Sequence, residues 1–166
     1  MTTIIVGSAP TDRSTWFNKL LTVVDRGNPA NASGTLTTVD IFVNDEGDDM
    51  TGLEVATFFV VSGNSLSTRD SQSIPGTLMK GVKSTFAVDL DVVAGDYIGF
   101  YCTAGYIERD TSGGSGVLYA GSDAIPCVNQ AFTLVANNAV SIQGSGSTPA
   151  VASGGGPVLA IKAGLL

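Results

Sequence analysis

Apolar residues that alternate with polar ones, in short runs closed by Gly, Asn, Asp or Pro, recur every ten to fifteen residues along most of this chain. No sustained 3.6-residue pattern interrupts them. A period of two puts successive side chains on opposite faces of a strand, so the pattern predicts many short, half-buried strands. Strands are expected near Thr3 to Val6, Leu20 to Val24, Thr35 to Val43, Leu53 to Val61, Ser65 to Arg69, Thr85 to Val92, Asp96 to Cys102, Gly116 to Tyr119, Ala131 to Val135, Ala139 to Gln143 and Val158 to Lys162. A single helical turn is expected around Asp12 to Asn18, capped by Asp12, with Trp16, Phe17 and Leu20 on one face.

The clearest alternation sets Phe86, Val88, Leu90 and Val92 against Thr85, Ala87, Asp89 and Asp91. Four apolar side chains face a core and two carboxylates face water. After Ala94-Gly95-Asp96, a tight turn, the run Tyr97 to Cys102 is apolar on both faces, as in a central strand. Together the two predict an antiparallel hairpin over residues 85 to 102.

The fold class expected is all-β, a two-sheet antiparallel β-sandwich of jelly-roll type rather than an immunoglobulin arrangement, whose Cys-Trp-Cys pattern is missing. At 166 residues the chain removes roughly 70% of its unfolded surface from water, enough for a core without metals or disulfides. Charged residues reach only 14%, against roughly 25% in a typical soluble domain, and only three Glu occur. Thr, Ser, Asn and Gly must therefore cover much of the surface, which suits strands better than exposed helices.

From Gly144 to Gly156 the composition shifts to a Gly- and Ser-rich run that reads as a flexible linker. The expected organisation is a sandwich over residues 1–146, then a linker and a C-terminal apolar strand over 147–166. Val158, Leu159 and Ile161 are costly to leave in water, and a lone strand needs a partner edge for its backbone groups. That edge belongs either to the same sandwich or to a neighbouring subunit.

The net charge of −7 and the lack of a basic run argue against nucleic acid, and neither an anionic membrane surface nor a bilayer span suits this chain. The stretch after Met1 has no charged n-region and too short an apolar run for a secretory signal, so a virion or extracellular location would be reached without one.

The chain contains no His, which excludes Ser-His-Asp and Cys-His hydrolase sites and histidine-bound metals. Two carboxylates still allow glycoside hydrolysis, and Glu108 with Asp110 is the most suggestive pair, although solvated loop carboxylates explain it as well. Asp45, Glu46, Asp48 and Asp49 surround Gly47 in an oxygen-rich loop suited to calcium, without the spacing of an EF-hand; no other cofactor is expected. Trp16, Tyr106 and Tyr119 are the aromatic rings on which a sugar would stack, against the plainer reading of partial burial. Asn31-Ala32-Ser33 matches a glycosylation acceptor. Cys102 and Cys127 form either one disulfide or two buried thiols.

The run Asp25 to Val39, followed in order by Glu54 to Asn64, Ser67 to Asp70 and Val93 to Gly99, resembles uncharacterised jelly-roll-like proteins of phage-like and environmental sequences. The resemblance covers roughly residues 20 to 146. It implies a sandwich carried by tailed-phage or virus-like genomes and attaches no activity or binding residue to these motifs. The function expected is a non-catalytic structural protein that assembles with copies of itself or with other virion proteins, as a capsid decoration protein, fibre head or filament subunit. The alternative is a lectin-type carbohydrate-binding module with a glycan partner.

Overall fold

The computed structural model describes residues 1–150. Its strands are β1 (Thr3–Gly7), β2 (Thr15–Phe17), β3 (Thr22–Asp25), β4 (Gly34–Phe42), β5 (Met50–Ser62), β6 (Ser65–Leu78), β7 (Lys83–Val92), β8 (Tyr97–Tyr101), β9 (Ile107–Asp110), β10 (Val117–Ala120), β11 (Gln130–Ala131), β12 (Thr133–Val135), β13 (Ala139–Val140) and β14 (Ile142–Ser147). Every pairing between them is antiparallel.

The order of pairing identifies the architecture. Of the eight main strands, first pairs with eighth (β1·β14), second with seventh (β3·β8), third with sixth (β4·β7) and fourth with fifth (β5·β6). That is one long ribbon folded at the β5–β6 turn. Curling the ribbon brings β14 beside β4 and β8 beside β5, which yields one sheet ordered β1-β14-β4-β7 and another containing β6-β5-β8-β3. The chain is a jelly roll, an all-β antiparallel sandwich as its alternation predicts.

The segment between β8 and β14 adds β10 and β12 beyond β3, and β11 beyond β6, making a seven-stranded sheet. Because β11 and β12 are separated only by Phe132, residues 130–135 bridge the two edges of that sheet and nearly close it. A small sheet β13-β9-β2 completes the fold.

Two cores result. Val23, Leu36, Leu53, Val55, Leu90, Ile98, Phe100 and Ile142 are among those filling the space between the main sheets. Val24, Ala56, Phe58, Leu66, Leu118 and Phe132 pack on the outer face of the seven-stranded sheet, with the Phe58 and Phe132 rings edge to face at 6.0 Å. Burial of each large side chain contributes about 1.5–3 kcal/mol. β8 is apolar on both faces because it lies between these cores.

Three local expectations are corrected. β7 and β8 do not form a hairpin: β7 pairs with β4 and β8 with β5 and β3, so the turn at Val93 to Asp96 carries the chain from one sheet to the other. Val88, Leu90, Ile98 and Phe100 are buried as expected, whereas Phe86 is only half-buried. Residues 15–17 form strand β2 rather than a helical turn, because exposed Trp16 and buried Phe17 follow a period of two.

The third correction concerns the supposed linker. Gly144 to Ser147 belong to β14, hydrogen-bonded between β1 and β4 in the middle of a sheet. A Cβ on Gly144 would lie 2.8–3.0 Å from Leu36, Ile98 and Val6 side chains, and one on Gly146 would lie 1.9 Å from the Thr35 carbonyl oxygen. These glycines are required by close approach, not by flexibility. The strand expected at Val158 to Lys162 lies outside the described residues.

Side chains protect both edges of the four-stranded sheet. Along β1, the Asn31 amide accepts from Ile5 N–H at 2.8 Å and donates to the Thr3 carbonyl at 3.0 Å, standing in for a ninth strand. Along β7, Gln72 and Asp70 side chains accept from Asp89 and Asp91 N–H, both at 2.9 Å. A glycan on Asn31 would sacrifice the amide proton bonded to Thr3.

Candidate functional site

The two ends of the sandwich carry different groups. At the end reached by the connections after β4, β6 and β8, the 42–49 loop, the 79–82 turn and the 103–106 loop meet: Asn44 N–H donates to the Tyr106 carbonyl at 2.8 Å and Gly81 N–H to the Val43 carbonyl at 2.8 Å. Here Trp16 from β2 stacks on Tyr106, with ring centroids 5.9 Å apart and planes 14° from parallel. Trp16 keeps 38% of its surface in water. The Tyr106 ring also lies against Gly47, where a Cβ would come within 2.8 Å of it. Tyr119, the third predicted aromatic, is not part of this pair; it tilts against Phe17 at 6.4 Å on the far side of β2.

The acidic loop beside Tyr106 does not gather its carboxylates. Asp49 accepts from Lys80 N–H at 3.0 Å, Asp48 lies 3.8 Å from the Lys19 ammonium, and Asp45 and Glu46 are exposed. Among the described residues no group of three or more His, Cys, Asp or Glu is placed to hold a metal ion.

Glu108 and Asp110, two apart on β9, face the same way and share Arg13. Glu108 is 1% exposed, accepting Arg13 N–H at 2.8 Å and the Asn44 amide at 2.7 Å. Burial pushes its carboxyl above the ordinary value, and those two donors offset only part of the rise. Burial alone would raise Asp110 too, but the Arg13 guanidinium at 2.6 Å, with Ser14, holds it below the usual range. The cavity beside Glu108, lined by Asp12, Phe42, Asp45 and Gly81, holds about 60 Å³. Small-molecule clefts usually start near ~300 Å³. A pyranose does not fit there, and both carboxylates are tied to the scaffold.

At the opposite end, Thr148 N–H donates to the Thr2 carbonyl at 2.9 Å, so both termini of the described chain leave side by side. Gly34 lies between them and Val92. The β5–β6 hairpin extends past β8, whose pairing with β5 stops at Phe58, and this projection leaves Val60 44% and Val61 45% exposed on opposite faces. Val93 is exposed in the adjacent turn, and Val128 is 89% exposed beside β6, to which Cys127 and Asn129 are hydrogen-bonded. Arg69 anchors the hairpin: its guanidinium grips Asp96 through Nε and through Nη2 at 2.9 Å, and lies over the Phe59 ring at 4.9 Å.

Both cysteines are free thiols on opposite faces of the seven-stranded sheet. Burial pushes Cys102 up to about 12, which leaves it unreactive.

A larger opening escaped the sequence reading. On the outer face of the seven-stranded sheet a groove of about 570 Å³ is lined by Glu54, Ser73, Pro75, Tyr101, Thr103 and Asp123, among others. Its residues become neighbours only through cross-strand pairing; the one sequence signal is Tyr101, an aromatic on the outward parity of β8. No family model, curated protein or solved structure matches the chain.

Proposed function

We propose that this protein is a non-catalytic structural subunit that assembles with copies of itself through the end bearing Val60, Val61, Val93 and Val128, as a virion component of the decoration, fibre-head or filament kind. One observation carries the reading: the chain leaves the sandwich at Thr148 on the same end as these exposed valines. A tail containing Val158, Leu159 and Ile161 therefore starts from the end that carries this exposed apolar surface, which a neighbouring subunit would cover. The amide and carboxylate caps on β1 and β7 disfavour simple extension of the four-stranded sheet, so the contact is made at the strand ends. Jelly rolls serve in capsids and in lectins alike, and fold by itself does not choose between them.

The test is sedimentation of the intact chain against a chain truncated after Ala150 at neutral pH. The intact chain is expected to sediment as an oligomer and the truncated one as a folded monomer. An intact chain that is monomeric throughout, or a truncation that leaves the oligomer unchanged, contradicts the reading.

A second reading, a carbohydrate-binding module, is supported by the opposite end, where the exposed Trp16 ring stacks on half-buried Tyr106 beside the loop that carries the exposed carboxylates of Asp45 and Asp48.

A further inference from the structure

We infer that the groove on the outer face of the seven-stranded sheet binds an uncharged saccharide, with Tyr101 as the stacking surface and Glu54 and Asp123 as hydroxyl acceptors. The inference deepens the carbohydrate-binding reading and assigns it to a different place from the Trp16–Tyr106 pair.

Three strands build the floor. Tyr101 on β8 and Ser73 on β6 are the direct cross-strand partners of Glu54 on β5, so the three form one row across the sheet. The row faces outward, the parity of Ala56 and Phe58 in the second core, and Tyr101 packs against the open margin of that core. Next to the row the β5–β6 ladder slips between Thr51 and Leu53, opposite Pro75 and Gly76. Gly52 takes φ 60° there, and Thr103 lies so close that a Cβ would meet its Oγ1 at 2.2 Å. A bulge of this kind bends the strand and turns one sheet margin into a wall.

The opposite wall is the loop carrying Asp123, from the long segment between β8 and β14. Buried Thr22 fixes it at two points, donating to the Ser122 carbonyl and accepting from Ala124 N–H, both at 2.8 Å. Ala124 and Ile125 are buried in the second core. Asp123 is therefore held in place before any ligand arrives, which lowers the ordering cost of binding.

The polar chemistry selects the ligand class. Ser73 donates to Glu54 Oε1 at 3.1 Å and Ile125 N–H to Asp123 Oδ1 at 3.0 Å. Among the described residues Glu54 Oε2 and Asp123 Oδ2 accept no hydrogen bond, and both carboxylates line the groove. Acceptor-only carboxylates suit ligand hydroxyls, and the faces of Tyr101 and Pro75 suit the C–H faces of a pyranose. No Lys or Arg lines the groove, so anionic sugars are disfavoured. The volume is that of an ordinary small-ligand cleft.

Calorimetry of the full chain against neutral hexasaccharides of glucose, xylose, mannose and N-acetylglucosamine tests the assignment, with spermidine as the cationic probe. At least one saccharide is expected to bind, about tenfold or more weaker in Tyr101→Ala and in Asp123→Ala, and unchanged in Trp16→Ala. Asp123 is exposed, so its variant stays informative if truncating Tyr101 impairs folding. Binding lost in Trp16→Ala but kept in Asp123→Ala would overturn the groove and leave the carbohydrate reading intact. Binding of spermidine alone would overturn both, as would no saccharide binding at millimolar concentration.

Discussion

The end of the sandwich where the chain leaves and the end that carries the acidic loop are held together by opposite means. At the exit end, β-strands run out past their neighbours and expose valines on a backbone fixed by Arg69 and Asp96. At the loop end a buried carboxylate, Glu108, ties the 42–49 loop through Asn44 to the segment before β2 through Arg13, and four further carboxylates face solvent from Asp45 to Asp49. Rigid apolar surface favours contact with another chain. Clustered like charge repels a copy of itself. In the proposed assembly one end would associate and the other resist it, which would give each copy a direction.

The largest disruption should come from the strand that delivers the chain to its exit. Gly146→Val places a side chain against the Thr35 carbonyl, and the sheet cannot yield without losing β14; loss of cooperative folding is expected by near-UV circular dichroism. A cooperatively folded variant would show that β14 is not held between β1 and β4.

A smaller but still large effect belongs to the loop end alone. Glu108→Ala strands Arg13 N–H and the buried Asn44 amide, at a cost of about 3 kcal/mol in urea melts. Because Glu108 lies far from the valines, the oligomeric state of the folded fraction should not change. A change would remove the distinction between the ends.

The pH dependence sharpens the same point. Burial pushes Asp25 up to about 6, against 3.8 for the ordinary group, and its bonds to Ser8 and Gly27 N–H offset only part of that. Between those values the folded state holds a proton that the unfolded state has released, so stability falls as pH rises from about 4 to 6, by on the order of 3 kcal/mol. Glu108 adds in the same direction. Asp110, held down by Arg13, works oppositely, contributing stability that is lost on acidification. Asp25→Asn should flatten the fall between pH 4 and 6 in thermal melts; an unchanged slope would exclude Asp25 as its source. The smallest effect is expected of Lys19→Ala, whose exposed ammonium lies 3.8 Å from Asp48: under about 0.5 kcal/mol in the same melts.

How much of this was legible depended on whether the controlling contact was local. The alternation from Phe86 to Val92 placed inward and outward residues correctly because one strand decides it, although Phe86 is half-buried near the start of β7. The turn after Val92 was readable from Gly95 and Asp96, but its destination was not, since a jelly roll sends consecutive main strands, β5 and β6 excepted, to opposite sheets. Glycines at 144 and 146 looked like a linker because nothing in the segment shows the Thr35 backbone and the Leu36 side chain that demand them; their period of two was the available sign. At the candidate sites, Trp16 and Tyr106 were readable as chemistry, while their stacking was set by the β2–β9 pairing and the Asn44–Tyr106 bond. The groove was invisible for the same reason, as Glu54, Tyr101 and Asp123 are brought together only by the fold.

The proposed assembly depends on the valine end joining copies of this chain. Light scattering of Val60→Lys combined with Val128→Lys, beside the unaltered protein at neutral pH, tests it most directly. Both positions are exposed, so melting temperatures should agree closely. An oligomer is expected for the unaltered chain and a folded monomer for the variant; a monomer in both, or the same oligomer in both, would contradict assembly through this end.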